Sequence, residues 1–120
     1  MNFYNKLFSS TLLLAAIVMA MPVHASERVL SAEELRAMIT DIDVAFSGKG
    51  ISGVTSYRMN GNVRTELTIG FSDEGKWWFD DNQICVRWQR LQGGRPSCFV
   101  IYEGDGNTYR TSHGYTIRAL

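Results

Sequence analysis

Few residues of this chain have the chemistry for a reactive site. Cys85 and Cys98 are the two cysteines, and they either form a disulfide or supply two thiols. A serine or cysteine nucleophile needs a nearby base, and beyond residue 25 the one imidazole is His113, in a Ser-His-Gly turn. A metal site needs three or four suitably spaced ligands. Two cysteines, which a disulfide would use up, and the one histidine beyond residue 25 are too few for such a site, so we predict no metal site and no cofactor.

The acidic residues do not form an obvious catalytic pair either. Glycoside hydrolysis needs two carboxylates held about 5–9 Å apart in different environments. Here Asp73-Glu74 and Asp80-Asp81 are adjacent along the chain, as is typical of turns. The sequence contains no Gly-x-Ser-x-Gly elbow and no glycine-rich phosphate loop. We therefore predict a protein that is not an enzyme, with an enzyme built around His113 as the alternative.

The first residues have the pattern of an export signal. Lys6 gives a positive start, Leu7–Met21 is mostly apolar, and Val23-His24-Ala25 places small residues at the cleavage positions. The apolar run is short for a membrane span, although a retained anchor is the alternative reading. We predict a signal peptide over 1–25, a single β-rich domain over 26–120 and no integral membrane segment after cleavage. The location would be the periplasm or the exterior.

Export also bears on the two cysteines and on the charge. In an exported protein a disulfide between Cys85 and Cys98 is the default, and two free buried thiols are the alternative. Closing a loop of about 14 residues stabilises the folded state by roughly 3 kcal/mol in the chain-entropy model.

Lysine and arginine number 12, as do aspartate and glutamate, so loss of Lys6 leaves a net charge near −1. A nearly neutral domain lacks the excess of positive charge that nucleic-acid-binding proteins use to bind phosphates.

One helix is predicted, over Leu30–Ile39. Ser31 followed three residues later by Glu34 is a capping box, the usual start signal of a helix. Leu35, Met38 and Ile39 then fall on one face. Because a helix this short is unstable alone, we expect its apolar face to dock on the rest of the domain.

From Ile42 onward the pattern changes to alternating strands and tight turns. Asn60-Gly61 predicts a two-residue type I′ hairpin, Ser72–Gly75 a further turn, and Gln92–Pro96 a looser hairpin loop. About seven or eight short strands in this length predict a mainly β fold. We expect a small antiparallel up-and-down, lipocalin-like barrel or a curled meander sheet, since closure removes exposed edge strands.

The stretch from Gly75 to Glu103 holds all three tryptophans and both cysteines. Strand alternation divides its aromatic residues between two faces. The predicted core aromatics are Trp77, Phe79, Trp88 and Phe99. Trp78 points the opposite way, and we predict that Trp78, Arg87 and Tyr102 form a binding surface, because interfaces favour these residue types. The alternative is that Trp78 packs under the helix.

Several motifs in this order resemble a known family. They are Leu-Ser-Ala-Glu-Glu-Leu, Gly75-Lys76-Trp77, Ile84-Cys85-Val86-Arg87-Trp88, Cys98-Phe99-Val100-Ile101-Tyr102 and Gly106-Asn107-Thr108-Tyr109. The chain resembles the small secreted proteobacterial proteins catalogued as domain of unknown function 995, which typically carry Gly-x-Trp, Leu-Cys-x-x-Trp and Cys-Tyr-x-Val-x-x-Asp-Gly. Asp41–Ser52 departs from that pattern, and Phe99 stands where tyrosine is usual. The resemblance implies the fold and the compartment, but no activity.

Two function classes fit these observations. The first is an exported, non-catalytic binding module that holds a small apolar or sugar-like ligand in the mouth of the barrel. The alternative is a protein-interaction module, such as an inhibitor of a secreted hydrolase or an envelope-stress protein, with Gly48–Gly53 and Gln92–Pro96 as contact loops. The expected partner is accordingly an unknown small ligand or an exported protein, and not nucleic acid.

Overall fold

The computed structural model describes residues 28–120, so the predicted signal peptide lies outside the described residues. Within that range no helix is long and apolar enough to cross a membrane. The elements are helix α1 (Ala32–Ile39), β1 (Ile42–Gly48), β2 (Ile51–Tyr57), β3 (Asn62–Leu67), β4 (Ser72–Asp80), β5 (Gln83–Trp88), a short 3₁₀ turn (Leu91–Gly94), β6 (Ser97–Phe99), β7 (Ile101–Glu103), β8 (Thr108–Thr111) and β9 (Thr116–Ala119).

The strands form one antiparallel sheet in the order β6-β5-β4-β3-β2-β1-β9-β8-β7. The two edge strands, β6 and β7, are neighbours in the chain and are separated by Val100 alone. One stretch of chain therefore forms both edges and brings the sheet nearly to closure. The predicted antiparallel barrel is confirmed. It has nine strands instead of seven or eight, because residues 97–103 pair first with β5 and then, past Val100, with β8.

Helix α1 lies at one end of the barrel, and the capping box is confirmed. The Ser31 hydroxyl accepts the Glu34 N–H, and the Glu34 carboxylate accepts the Ser31 N–H. Leu35 and Ile39 are fully buried in the core. The helix begins at Ala32 instead of Leu30, because the Leu30 N–H donates to the Ile101 carbonyl at 2.9 Å in an extended conformation.

Two ion pairs of Arg28 also connect the helix to β7. Arg28 bonds both Glu34 and Glu103. The Arg28 hydrogen bonds, with the backbone bond from Ser31, lower the pKa of Glu34 to about 2. These groups lie on the surface, so their main effect is to orient the start of the helix.

The predicted disulfide is confirmed. Cys85 on β5 lies directly opposite Cys98 on β6, the two Cα atoms are 4.0 Å apart, and the sulfurs are bonded. The bond therefore ties the edge strand β6 to the sheet. Residues 28–120 contain no free cysteine.

Two of the predicted turns are wrong in detail. Asn60 does not adopt a positive φ, so the β2–β3 connection is not type I′. Instead the Arg58 carbonyl accepts the N–H of Gly61, whose φ is 89°, which makes a longer loop closed by a glycine bulge. Ser72–Gly75 is strand and not turn: the chain reverses at residues 68–71, and β4 begins at Ser72.

Two glycines allow neighbouring strands to approach closely. A Cβ atom built on Gly75 would lie 2.2 Å from the Arg87 carbonyl oxygen, and one on Gly53 would lie 2.3 Å from that of Glu66. Real side chains do not tolerate such distances. Glycine in the interior of a strand often marks a close backbone approach or a bend, and Gly53 and Gly75 lie in the interiors of β2 and β4.

Candidate functional site

The end of the barrel opposite the helix is open. The β1–β2, β3–β4, β5–β6 and β8–β9 connections surround this mouth, because alternate connections of an up-and-down sheet lie at the same end. Inside it is a cavity of about 260 Å³, which we call the mouth cavity. Its walls are mainly apolar and aromatic and include Phe46, Val86, Trp88, Phe99, Tyr115 and Ile117.

Threonine hydroxyls supply polar groups within these walls. The Thr65 hydroxyl donates to the Val54 carbonyl at 3.3 Å and lies 3.0 Å from the Thr55 hydroxyl. Since a hydroxyl has one hydrogen, Thr55 donates to Thr65 and keeps its own lone pairs. Thr111 accepts the Tyr115 N–H at 3.1 Å and retains its hydrogen for donation. All three threonines line the cavity, which can therefore both accept and donate hydrogen bonds.

The Tyr57 hydroxyl adds a further polar group. Burial raises the pKa of Tyr57 well above its ordinary value, so the phenol stays protonated at neutral pH. Its ring packs edge-on against Trp77, with centroids 5.4 Å apart. Every fully sealed side-chain polar atom in residues 28–120 has a hydrogen-bond partner. The Tyr57 hydroxyl has no such bond there, so it is not sealed from solvent, and Tyr57 is one of the residues that line the cavity.

His113 has a structural contact at the mouth. Its Nε2 lies 3.0 Å from the Cys98 carbonyl oxygen, and because a carbonyl only accepts, Nε2 carries the hydrogen. The ring also packs edge-on against Phe99. This bond joins the β8–β9 turn to β6, across the seam where the sheet is not fully closed. Within residues 28–120 no hydroxyl or thiol is bonded to the ring, and no group of metal-binding residues occurs.

Asp73 fixes the loop that covers one side of the mouth. Its buried carboxylate accepts backbone N–H groups from Arg90 at 3.0 Å, Leu91 at 2.9 Å and Glu74 at 2.9 Å. Burial opposes ionisation, but these backbone hydrogen bonds outweigh it and hold the pKa of Asp73 below its ordinary value. The sequence pattern suggested a turn here. The sequence does contain a clue to its position. Asp73 precedes Trp77 and Phe79 by an even number of residues, so in a continuous strand all three side chains lie on the inner face.

The predicted core aromatics fall into two groups. Trp77 and Phe79 pack together near the helix, with centroids 4.9 Å apart, and the Trp77 Nε1 donates to the Arg58 carbonyl at 2.7 Å. Trp88 and Phe99 are half-buried and line the mouth cavity. The second group is therefore available to a ligand as well as to the core.

The predicted binding surface spans three strands of the outer wall. Trp78 is opposite Cys85 in the β4–β5 register and is 40% exposed, while Arg87 is two residues further along β5. Tyr102 lies on β7, beyond Val100, where it pairs with Arg110 of β8. Trp78 and Arg87 thus lie on adjacent strands, whereas Tyr102 belongs to the opposite edge of the sheet.

Trp78 instead contributes to a shallow depression beside the helix, which we call the helix-end surface. It is formed in part by Arg36, Met59, Trp78 and Phe79. The Arg36 guanidinium lies 4.5 Å from the centroid of the Phe79 ring, and Met59 is 76% exposed. The sequence reasoning did not identify Arg36 or Met59, because they come from the helix and from a distant turn.

The two predicted contact loops both belong to the mouth. Gln92 and Ile51, which come from Gln92–Pro96 and Gly48–Gly53, line the cavity. Gly53 itself lies within β2. Comparisons of the chain with known protein families, with curated proteins and with solved structures found no match, so the resemblance to the secreted family stays a prediction.

Proposed function

We propose that this chain is an exported, non-catalytic binding module that holds a small, mainly apolar ligand in the mouth cavity. The observation that carries the proposal is the cavity itself, which has aromatic and aliphatic walls and a few hydroxyl groups. Binding sites for small molecules commonly have this composition, with polar groups that fix orientation inside an apolar enclosure. The formed disulfide agrees with a periplasmic or secreted location.

The chemistry of the cavity supports binding more than catalysis. The threonine hydroxyls and the neutral Tyr57 phenol can form hydrogen bonds, but among residues 28–120 no base lies within bonding distance of them. The imidazole of His113 is bonded to a backbone carbonyl. A nucleophile without an adjacent base is weakly reactive at neutral pH.

Native mass spectrometry of protein exported to the periplasm and purified without refolding tests the proposal. We expect an added small mass on the wild-type chain. Val86→Phe fills the cavity from β5 and should abolish that mass, whereas Val54→Phe on the half-buried outer side of β2 is the matched control and should keep it. Circular dichroism and thermal melting establish that both variants fold.

Two results would contradict the proposal. One is a wild-type chain that carries no added mass and takes up no alkyl probe. The other is an added mass that survives in folded Val86→Phe. If Val86→Phe does not fold, Thr55→Leu offers a second way to fill the same cavity.

A second candidate function is a protein-interaction module, such as an inhibitor of a secreted hydrolase or an envelope-stress protein. The helix-end surface favours it, because Trp78 and Met59 expose apolar area beside the Arg36 side chain. The test is a pull-down from periplasmic extract with wild type and with Met59→Lys/Trp78→Lys. Loss of one specific partner, with cavity binding intact, would support this candidate. Identical partners for both proteins would refute it.

A further inference from the structure

The nearly neutral chain separates its charges between the two ends of the barrel. The connections around the mouth, residues 49–50, 68–71, 89–96 and 112–115, contain Lys49, Arg90 and Arg95 and no aspartate or glutamate. The connections at the helix end contain Asp41, Asp81 and Asp105 against one arginine, Arg58. These connections therefore form a positively charged rim on a protein with no overall positive charge, while Glu66, Asp73 and Glu74 lie at the adjoining ends of β3 and β4.

Two of the rim cations have no acidic partner in the part of the chain that the structure describes. Arg90 is held in the structure, because it bonds the Ser72 carbonyl, lies 3.8 Å from the Asp73 carboxylate and stacks on Phe71. Within residues 28–120, no carboxylate lies at ion-pair distance from Lys49 or Arg95. These two positive charges are available to a ligand.

Each cation lies beside residues that line the cavity, although neither is itself part of the cavity wall. The Lys49 ammonium lies 5.3 Å from the centroid of the Tyr115 ring, and Tyr115 is part of the cavity wall. Arg95 lies in the β5–β6 loop, whose Leu91 and Gln92 also line the cavity. An anionic group at the opening would stay in contact with water on the side of the cavity where these two loops lie, which avoids the cost of burying a charge.

The cavity volume indicates the approximate size of the apolar part. At about 30 Å³ for each group of water size, 260 Å³ accommodates roughly nine such groups. That is the size of a short alkyl chain. Apolar walls below a positive rim match a molecule with an apolar tail and an anionic head.

We propose that the mouth cavity takes an anionic amphiphile, namely a carboxylate with an alkyl tail of about eight carbons, whose head lies between Lys49 and Arg95. This inference rests on the proposed binding function and specifies its ligand class. The tail contacts Val86, Phe99 and the rest of the apolar wall, while the hydroxyl groups stay free to bind water or a substituent.

Three probes with eight carbons each and different heads test it: octanoate, 1-octanol and octylammonium. Binding is measured by calorimetry and by the change in tryptophan fluorescence, to which Trp88 in the cavity wall contributes. We expect octanoate to bind tightest, 1-octanol about tenfold more weakly and octylammonium more weakly still, as two exposed ion pairs predict. Added salt should weaken octanoate binding and leave 1-octanol unchanged.

The matched variants are Lys49→Gln/Arg95→Gln at the rim and Lys76→Gln/Arg118→Gln on the outer wall. Both pairs remove two positive charges, and Lys76 and Arg118 are exposed residues of β4 and β9. The rim variant should bind octanoate about as weakly as 1-octanol, while the outer-wall variant should match wild type.

The outcomes separate the ligand class from the binding function. Equal binding of octanoate and 1-octanol, unchanged in the rim variant, would overturn the anionic head and leave the apolar cavity function intact. Preference for octylammonium would also overturn it. Failure of all three probes to bind would count against the proposed function and this inference together.

Discussion

Replacement of Asp73 by asparagine should destabilise the domain, because a buried carboxylate holds the β5–β6 loop. One oxygen accepts the Glu74 N–H, and the other accepts those of Arg90 and Leu91. Asparagine has one accepting oxygen, so in either orientation its amide group faces at least one of these donors. The loss of one or two hydrogen bonds to a charged acceptor, with a donor left unpaired, costs about 2–4 kcal/mol of unfolding free energy.

For a domain of this size we expect the melting temperature to fall by about 10–20 °C at neutral pH. The pH dependence gives a second test. The folded pKa of Asp73 lies below its unfolded value, so its stabilising effect is complete above the unfolded pKa and is lost as the pH falls through the folded pKa. The difference between wild type and Asp73→Asn should therefore be constant from about pH 5 to 8 and should shrink below about pH 4.

Urea unfolding at a series of pH values measures both effects. Asp81→Asn is the control, because Asp81 is an exposed turn residue with a φ of 53°, a conformation that asparagine also adopts. Its unfolding free energy should stay within about 0.5 kcal/mol of wild type. If Asp73→Asn were as stable as wild type, or if the difference persisted unchanged to pH 3, the carboxylate would not hold the loop in the way described.

Three further changes test the fold. Gly75→Ala should lower the free energy of unfolding by roughly 3 kcal/mol, because the new Cβ would lie 2.2 Å from the Arg87 carbonyl oxygen. Denaturant unfolding measures this loss. An unchanged free energy would show that β4 and β5 can move apart without cost. Alanine at both Cys85 and Cys98 should cost about 3 kcal/mol through the freed loop, measured the same way; an unchanged midpoint would contradict the disulfide's role. Ser31→Ala should cost about 1 kcal/mol by loss of the helix cap, whereas Ser31→Asp should restore it.

The features that were predictable from sequence depend on local chemistry. The capping box at Ser31, the pairing of Cys85 with Cys98 and the alternation of Trp77 with Phe79 are all short-range patterns. Together with the spacing of the turns they specify an antiparallel barrel with one helix. These features require only the periodicity of a helix or a strand and the preferences of turn residues.

The features that were missed depend on contacts between distant strands. The acidic pair at Asp73 looks like a turn until the N–H groups of Arg90 and Leu91 are placed beside it. The change of partner strand at Val100 appears only once residues 97–99 are paired with β5 and residues 101–103 with β8. The cavity likewise combines positions from several strands, among them Tyr57 and Thr111, which no local pattern brings together.

The most direct test of a ligand in the mouth cavity is its location in the bound protein. Nuclear Overhauser effects between the terminal methyl group of octanoate and assigned methyl groups of the protein give that location. We predict contacts from the tail to Val86, Thr55 and Ile117, all of which line the cavity. Contacts confined to Met59 on the helix-end surface, or no contacts at saturating octanoate, would contradict the assignment of the mouth cavity as the binding site.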